Sequence, residues 1–164
     1  MTTTLQTTDR IEKTTVLRAP QTRVWRALTD VSQFSAWFGI TLTEPFTAGR
    51  TVTGQLSMKG QQFTIDFAID RLDPEQYFAY RWHPYAIDPK TDYSTEPMTL
   101  VEFRLKTVPE GTELTVIESG FDKIPKHRRD EAYRMNDGGW TSQIEKLSFQ
   151  RVPVVCSIVI VPRQ

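Results

Sequence analysis

From residue 39 onward the chain reads with a period of two. In "QFTIDFAIDRL" at 62–72, Phe63, Ile65, Phe67 and Ile69 alternate with Thr64, Asp66, Ala68 and Asp70. A strand patterned this way has one dry face and one wet face. "YFAYRWH" repeats the pattern, with Phe78, Tyr80 and Trp82 opposite Tyr77, Arg81 and His83. So does "TLVEFRLKTV", with Val101, Phe103 and Leu105 opposite Glu102, Arg104 and Lys106, and "TELTVIESGF" puts Leu114, Val116 and Glu118 on one face. "KG" separates the runs at 51–58 and 62–72, and "DPEQ" and "PEG" separate later ones, so the strands follow one another through tight turns as an antiparallel meander. A broad sheet with one apolar face must be covered by another layer.

Only one segment is long enough to cover it. Pro125 opens a helix that runs to about residue 150. Before the meander, "RIEKTTVL" reads as a strand over about 10–18. Pro20 then starts a short helix with Val24, Trp25 and Leu28 on one side, and Asp30 caps a second short helix, with Gln33 completing a capping-box pattern. Phe34, Trp37 and Phe38 carry the apolar face of that second helix. The order predicts an α+β helix-grip: a curved antiparallel sheet of about six to seven strands wrapped around a long C-terminal helix, with two short helices after strand 1. A chain of 164 residues with 38% hydrophobic residues suits one domain over 1–164, its core at about 10–150.

Composition also excludes partners. Lys plus Arg and Asp plus Glu each number 20, so no basic surplus points to nucleic acid. No apolar run approaches the ~20 residues of a membrane helix, and "MTTTLQTTDRIEK" lacks the apolar stretch of a signal peptide. A single cysteine, Cys156, forbids an internal disulfide, and a cytoplasmic location is the natural expectation.

The long helix carries an anomaly. In "MNDGGWTSQIEKL", Trp140, Ile144 and Leu147 form an apolar stripe that Tyr133 extends upstream, yet Gly138 and Gly139 interrupt it. Each glycine costs about 1 kcal/mol relative to alanine in a helix interior. Two readings fit. The glycines can leave a cavity between helix and sheet, with Tyr133 and Trp140 as spacers, or they can admit a bulky residue such as Trp82 or Phe103 to close contact. In the first, Trp37, Phe38, Phe67, Tyr80, Trp82, Phe103, Glu118, Tyr133, Gly139 and Trp140 are the candidate ligand-binding residues. The polar, proline-bearing loop at 84–98 would border the opening.

Catalytic signals are sparse. His83 ends a strand beside Pro84 and His127 lies among charges in "PKHRRD"; both read most simply as surface residues. Cys156, in an apolar tail, reads as buried and inert. No HxxxH, HxH or CxxC spacing supports a metal, and no GxGxxG or GxxxxGK supports a nucleotide, so no cofactor is expected. Glu118 is the exception, because its strand phase turns a carboxylate toward the covering helix. It can be a pocket acid with a raised pKa, or it can sit at the strand end and reach water or Arg134. Tyr80 shares the inward phase and can offer a hydroxyl to a ligand, or be a core aromatic with its hydroxyl at the edge.

The segments "LRAPQTRVWRALTD", "FSAWFG", "TLVEFRL", "GTELTVIESGF" and "GGWTSQIEKL" occur in this order. Together they resemble the activator-of-heat-shock-protein-90-ATPase-like family of the START-like (SRPBCC, polyketide cyclase and lipid-transfer) superfamily, over roughly residues 10–148. The resemblance implies the same helix-grip fold with a cavity beneath the helix. It implies a superfamily that binds lipids, polyketides and other apolar ligands, with some cyclases and hydrolases among its members. Three functions follow: binding an apolar small molecule, cyclase- or hydrolase-type chemistry through Glu118 and Tyr80, or a co-chaperone-like interaction module. "RVPVVCSIVIVPRQ" at 151–164 departs from the family pattern. Its apolar residues need cover, which a sheet edge, packing on the same molecule, or a homodimer through this tail would supply.

Overall fold

The computed structural model describes residues 9–150 of the chain. Strand β1 (Arg10–Leu17) is followed by α1 (Gln21–Thr29) and α2 (Val31–Phe38). Six strands come next: β2 (Thr41–Leu42), β3 (Thr51–Met58), β4 (Gln61–Asp73), β5 (Tyr77–Trp82), β6 (Thr99–Val108) and β7 (Gly111–Ser119). A 3-10 turn at Phe121–Lys123 leads into α3 (Lys126–Gln150). The tail at 151–164, with Cys156 and the expected dimer contact, lies outside the described residues.

All seven strands join one antiparallel sheet in the order β1-β7-β6-β5-β4-β3-β2. The meander expected from the turn signals runs through β2 to β7, and β1 returns to pair with β7, Ile11 opposite Glu118. At the β3–β4 hairpin, Lys59 and Gly60 both take positive φ, 51° and 78°. That backbone twist matches the right-handed twist of the flanking strands, and glycine adopts it without strain. A bulge between Ile69 and Arg71 shifts the register of β4 against β5. Bulges bend the strand that carries them, which lets this long strand curve around the helix.

The inward alternation is realised as buried side chains. Phe67, Ile69, Phe78, Tyr80, Trp82, Val101, Phe103, Leu105, Leu114 and Val116 are all buried, whereas Thr64, Asp66 and Asp70 on the opposite phase of β4 are exposed. Ten aromatic rings, from Phe34 on α2 to Trp140 on α3, form one continuous contact network, with Phe121 and Tyr133 paired apart from it. Phe34 stacks on Phe38 at 4.9 Å, Phe67 meets Tyr80 at 5.0 Å, and Phe103 meets Trp140 of α3 edge-on at 5.8 Å.

Helices α1 and α2 close one end of the sheet. Trp37 Nε1 donates to the Ala27 carbonyl at 2.9 Å and locks the two helices together. The Asp30 carboxylate accepts from the backbone N–H groups of Ser32 and Gln33 at 2.9 and 3.2 Å and from the Ser32 hydroxyl at 2.7 Å. The Ser32 hydroxyl bond, with smaller help from the backbone groups, holds the Asp30 pKa below its ordinary value. The expected capping box is one-sided. The Asp30 N–H donates to the Arg26 carbonyl instead, and the Gln33 side-chain oxygen has no partner.

Because α2 presents Phe38 to the core, its cap matters to everything beneath it. Asp30→Ala should lower stability by about 1 kcal/mol in chemical denaturation. A variant as stable as the wild type would show that packing alone sets the start of α2.

Candidate functional site

A cavity of about 540 Å³ opens between the β3–β4 end of the sheet, the loop after β5 and the middle of α3. Leu56, Met58, Phe63 and Ile65 line it from the β3–β4 hairpin, Phe38 from α2, and Trp82 and His83 from the end of β5. The loop supplies Tyr85, Ala86, Ile87, Asp92, Tyr93 and Ser94, and α3 supplies Met135, Asn136, Gly139, Trp140 and Gln143. Of these, Met58 and Met135 are 39% and 43% exposed.

The two readings of the glycine pair separate here. A Cβ at Gly138 or Gly139 would meet no atom within 4 Å, so neither glycine serves a close approach to Trp82 or Phe103. Gly139 borders the cavity.

Glu118 has no exposed surface. Its Oε2 accepts from Trp82 Nε1 at 2.8 Å and from Thr99 Oγ1 at 2.6 Å. Its Oε1 accepts from Trp140 Nε1 at 2.8 Å and from Asn136 Nδ2 at 3.0 Å. The donors come from β5, β6 and α3, and all are neutral. Indole N–H groups only donate, so this arrangement fits the carboxylate form. Burial pushes the Glu118 pKa above its ordinary value of 4.5, and the bonds from Thr99, Trp82, Trp140 and Asn136 restrain that rise. Glu118 does lie at the strand end, one residue before the end of β7, but it reaches neither water nor Arg134: it has no exposed surface, its bonds go to Trp82, Thr99, Asn136 and Trp140, and Arg134 is exposed. The step of four residues from Asn136 to Trp140 puts both helix donors on one face.

Tyr80 is fully buried and its hydroxyl has no partner. Desolvation, with the charge of Glu118, pushes its pKa well above 10. Its hydroxyl is thus not at the edge of the core. Of the other candidates, Phe38, Trp82, Gly139 and Trp140 border the cavity, and Phe67 and Phe103 pack behind them. Trp37 is tied to α1, and the Tyr133 hydroxyl donates to the Arg10 carbonyl of β1 at 3.0 Å. His127 is exposed, but His83 is half-buried at the cavity wall, with Nε2 3.1 Å from the Glu96 carbonyl oxygen.

The loop wall is fastened to the first turns of α3 by Arg128. Its guanidinium donates to Glu96 Oε1 at 2.7 Å and to the Pro84 carbonyl at 2.8 Å, and lies 4.7 Å from the Tyr93 ring centroid. Both ends of the ion pair are nearly buried, at 11% and 13% exposure. Charge-assisted bonds of this kind order a loop that has no periodic structure of its own.

Among the described residues no three His, Cys, Asp or Glu side chains converge as metal ligands, and no helix is long and apolar enough to cross a membrane.

A curved sheet gripping a long helix over a lateral cavity defines the START-like, helix-grip class. Within it the chain belongs to the "Activator of Hsp90 ATPase homolog 1-like protein" family, whose pattern matches residues 18–148. No curated protein sequence matches the chain. Among solved structures, protein MLL2253 from Mesorhizobium loti is similar with a TM-score of 0.68 at 22% identity, over 88% of this chain and 99% of that one. A protein from Arthrobacter aurescens is similar with a TM-score of 0.70 at 15% identity, over 85% of this chain and 83% of that one. DynU16, a protein in the dynemicin biosynthetic locus, has a TM-score of 0.65 at 23% identity, over 86% of this chain and 46% of that one. At these identities the likeness is one of fold.

Glu118→Gln keeps the shape but turns an amide N–H₂ toward groups that also donate. It should cost about 2 kcal/mol. Because the folded pKa of Glu118 is raised above 4.5, the wild type is most stabilised below that value. Its margin over Glu118→Gln should therefore narrow as pH climbs from 4.5 through the folded pKa. Denaturation midpoints between about pH 4 and pH 8 read this directly. A margin that does not change with pH would mean the carboxyl titrates alike in folded and unfolded chains.

Proposed function

We propose that the protein binds an apolar small molecule in the cavity beside α3, and that binding, rather than catalysis, is what the site is built for. The observation that carries this reading is the cavity itself. Its volume of about 540 Å³ lies within the range of small-molecule sites, and aromatic and aliphatic side chains dominate its walls. A domain of this size normally fills such a space to close-packed density. Here Gly139 leaves the helix side of the cavity clear, at a cost of about 1 kcal/mol in helix propensity. Membership of a superfamily that commonly takes hydrophobic ligands supports the same reading, and one fold neighbour comes from a biosynthetic locus.

The geometry lends no support to acid–base chemistry by Glu118 and Tyr80. Both Glu118 oxygens are occupied by protein donors, and neither residue borders the cavity. The family name does not by itself carry a co-chaperone activity to this chain. A cytoplasmic setting fits the single cysteine.

Gly139→Leu tests the site. Leucine is the better helix former by most of about 1 kcal/mol, and no atom opposes its Cβ. Stability should hold or rise, while the affinity for Nile red, a neutral apolar dye, falls severalfold. Gly138 does not border the cavity, so Gly138→Leu should match the gain in stability and leave dye binding unchanged. Equal dye binding by all three proteins would place the binding site elsewhere.

A further inference from the structure

We propose that the cavity selects apolar molecules carrying an amine and rejects those carrying a carboxylate. This rests on the cavity being the ligand site. What decides it is where the polar atoms of the walls point.

The walls contain strong donors, but those donors are spent. Trp82 Nε1, Trp140 Nε1 and Asn136 Nδ2 all turn behind the wall to Glu118. The Gln143 amide N–H₂ donates to the Phe38 carbonyl at 3.1 Å, which leaves its Oε1 buried with no partner. His83 Nε2 is taken by the Glu96 carbonyl. Of the wall hydroxyls, Thr64 donates to Gln55 at 3.4 Å, Ser94 is bonded to Asp92, Tyr93 accepts the Asp88 N–H at 3.1 Å, and Tyr85 can donate or accept.

Charge points the same way. No Lys or Arg is among the residues lining the cavity. Arg128, behind the loop, is engaged by Glu96 and a backbone carbonyl. Asp92 does line the cavity, and its bonds from Ser94 keep its pKa below the ordinary value. Asp66 also borders it, but on the wet phase of β4, where its carboxylate accepts from Thr53 at 2.7 Å. Immediately behind Trp82 and Trp140 lies the Glu118 carboxylate. A ligand carboxylate would therefore leave water to meet acceptors, negative charge and aromatic faces. An ammonium would meet acceptors, an ionised carboxylate at the rim, and the same aromatic faces, which attract cations.

The test compares three ligands on one skeleton, 1-naphthylmethylamine, 1-naphthylmethanol and 1-naphthylacetate. Each is titrated calorimetrically into the full chain at neutral pH and low salt. The amine should bind at least tenfold more tightly than the carboxylate, with the alcohol between them. Asp92→Asn, at an exposed position, should narrow the amine-to-carboxylate ratio severalfold. If the carboxylate binds as tightly as the amine while Nile red and the alcohol still bind, the selectivity is overturned and the site stands. If none of the ligands and no dye binds, the site itself is wrong and the selectivity falls with it.

Discussion

A carboxylate with no exposed surface fixes the architecture. Removing a carboxylate from water is expensive, and an uncompensated one would cost several kcal/mol even after relaxation. Glu118 is tolerable only where Trp82, Thr99, Asn136 and Trp140 can all reach it. That condition ties β5, β6 and β7 to one face of α3. Apolar contacts alone would let a helix slide or roll over a smooth sheet, because the hydrophobic effect has no direction. Four directed bonds do not allow this, since a shift of one turn would carry Asn136 and Trp140 away together. The register of the covering helix is thus set by polar groups inside an aromatic core.

The cavity follows from that register. With Trp140 held down on Phe103 and Trp82, the next turn toward the N-terminus presents Gly139 and Met135 to the β3–β4 hairpin. There Gly139 has no side chain to fill the distance. Trp82 and Trp140 therefore have two roles. Their ring faces wall the cavity, and their N–H groups hold the helix that frames it. This division suits a tryptophan, whose large apolar body carries a single donor at one edge.

Much of the fold was legible because it is periodic. The alternation of Phe63 to Ile69, Phe78 to Trp82 and Val101 to Leu105 assigned faces that the structure keeps. Lys59-Gly60 marked the hairpin, and Pro125 marked the start of α3. The inward phase of Glu118 was also visible. Its partners were not, because four donors scattered over 59 residues, from Trp82 to Trp140, share no local pattern, and the two tryptophans read as apolar walls. The loop residues Tyr85, Ile87 and Tyr93 were hidden for a related reason. An aperiodic segment gives no sign of which side chains turn inward, and here Arg128, 44 residues from Pro84, decides it. His83 looked like a surface residue because it ends a strand, but the loop that follows folds back over it.

The Arg128 anchorage also bears on how fast a molecule could come and go. Loops that open and close over a site do so in microseconds to milliseconds, and such motion can limit turnover. In this protein the loop wall and the helix wall are joined by a nearly buried ion pair. Among the residues that border the cavity, Met58 and Met135 carry exposed thioether side chains. Exposed side chains change rotamer in picoseconds to nanoseconds. A guest that entered between them would meet side chains that rearrange faster than a loop opens, so its residence time would be set by its contacts with the walls.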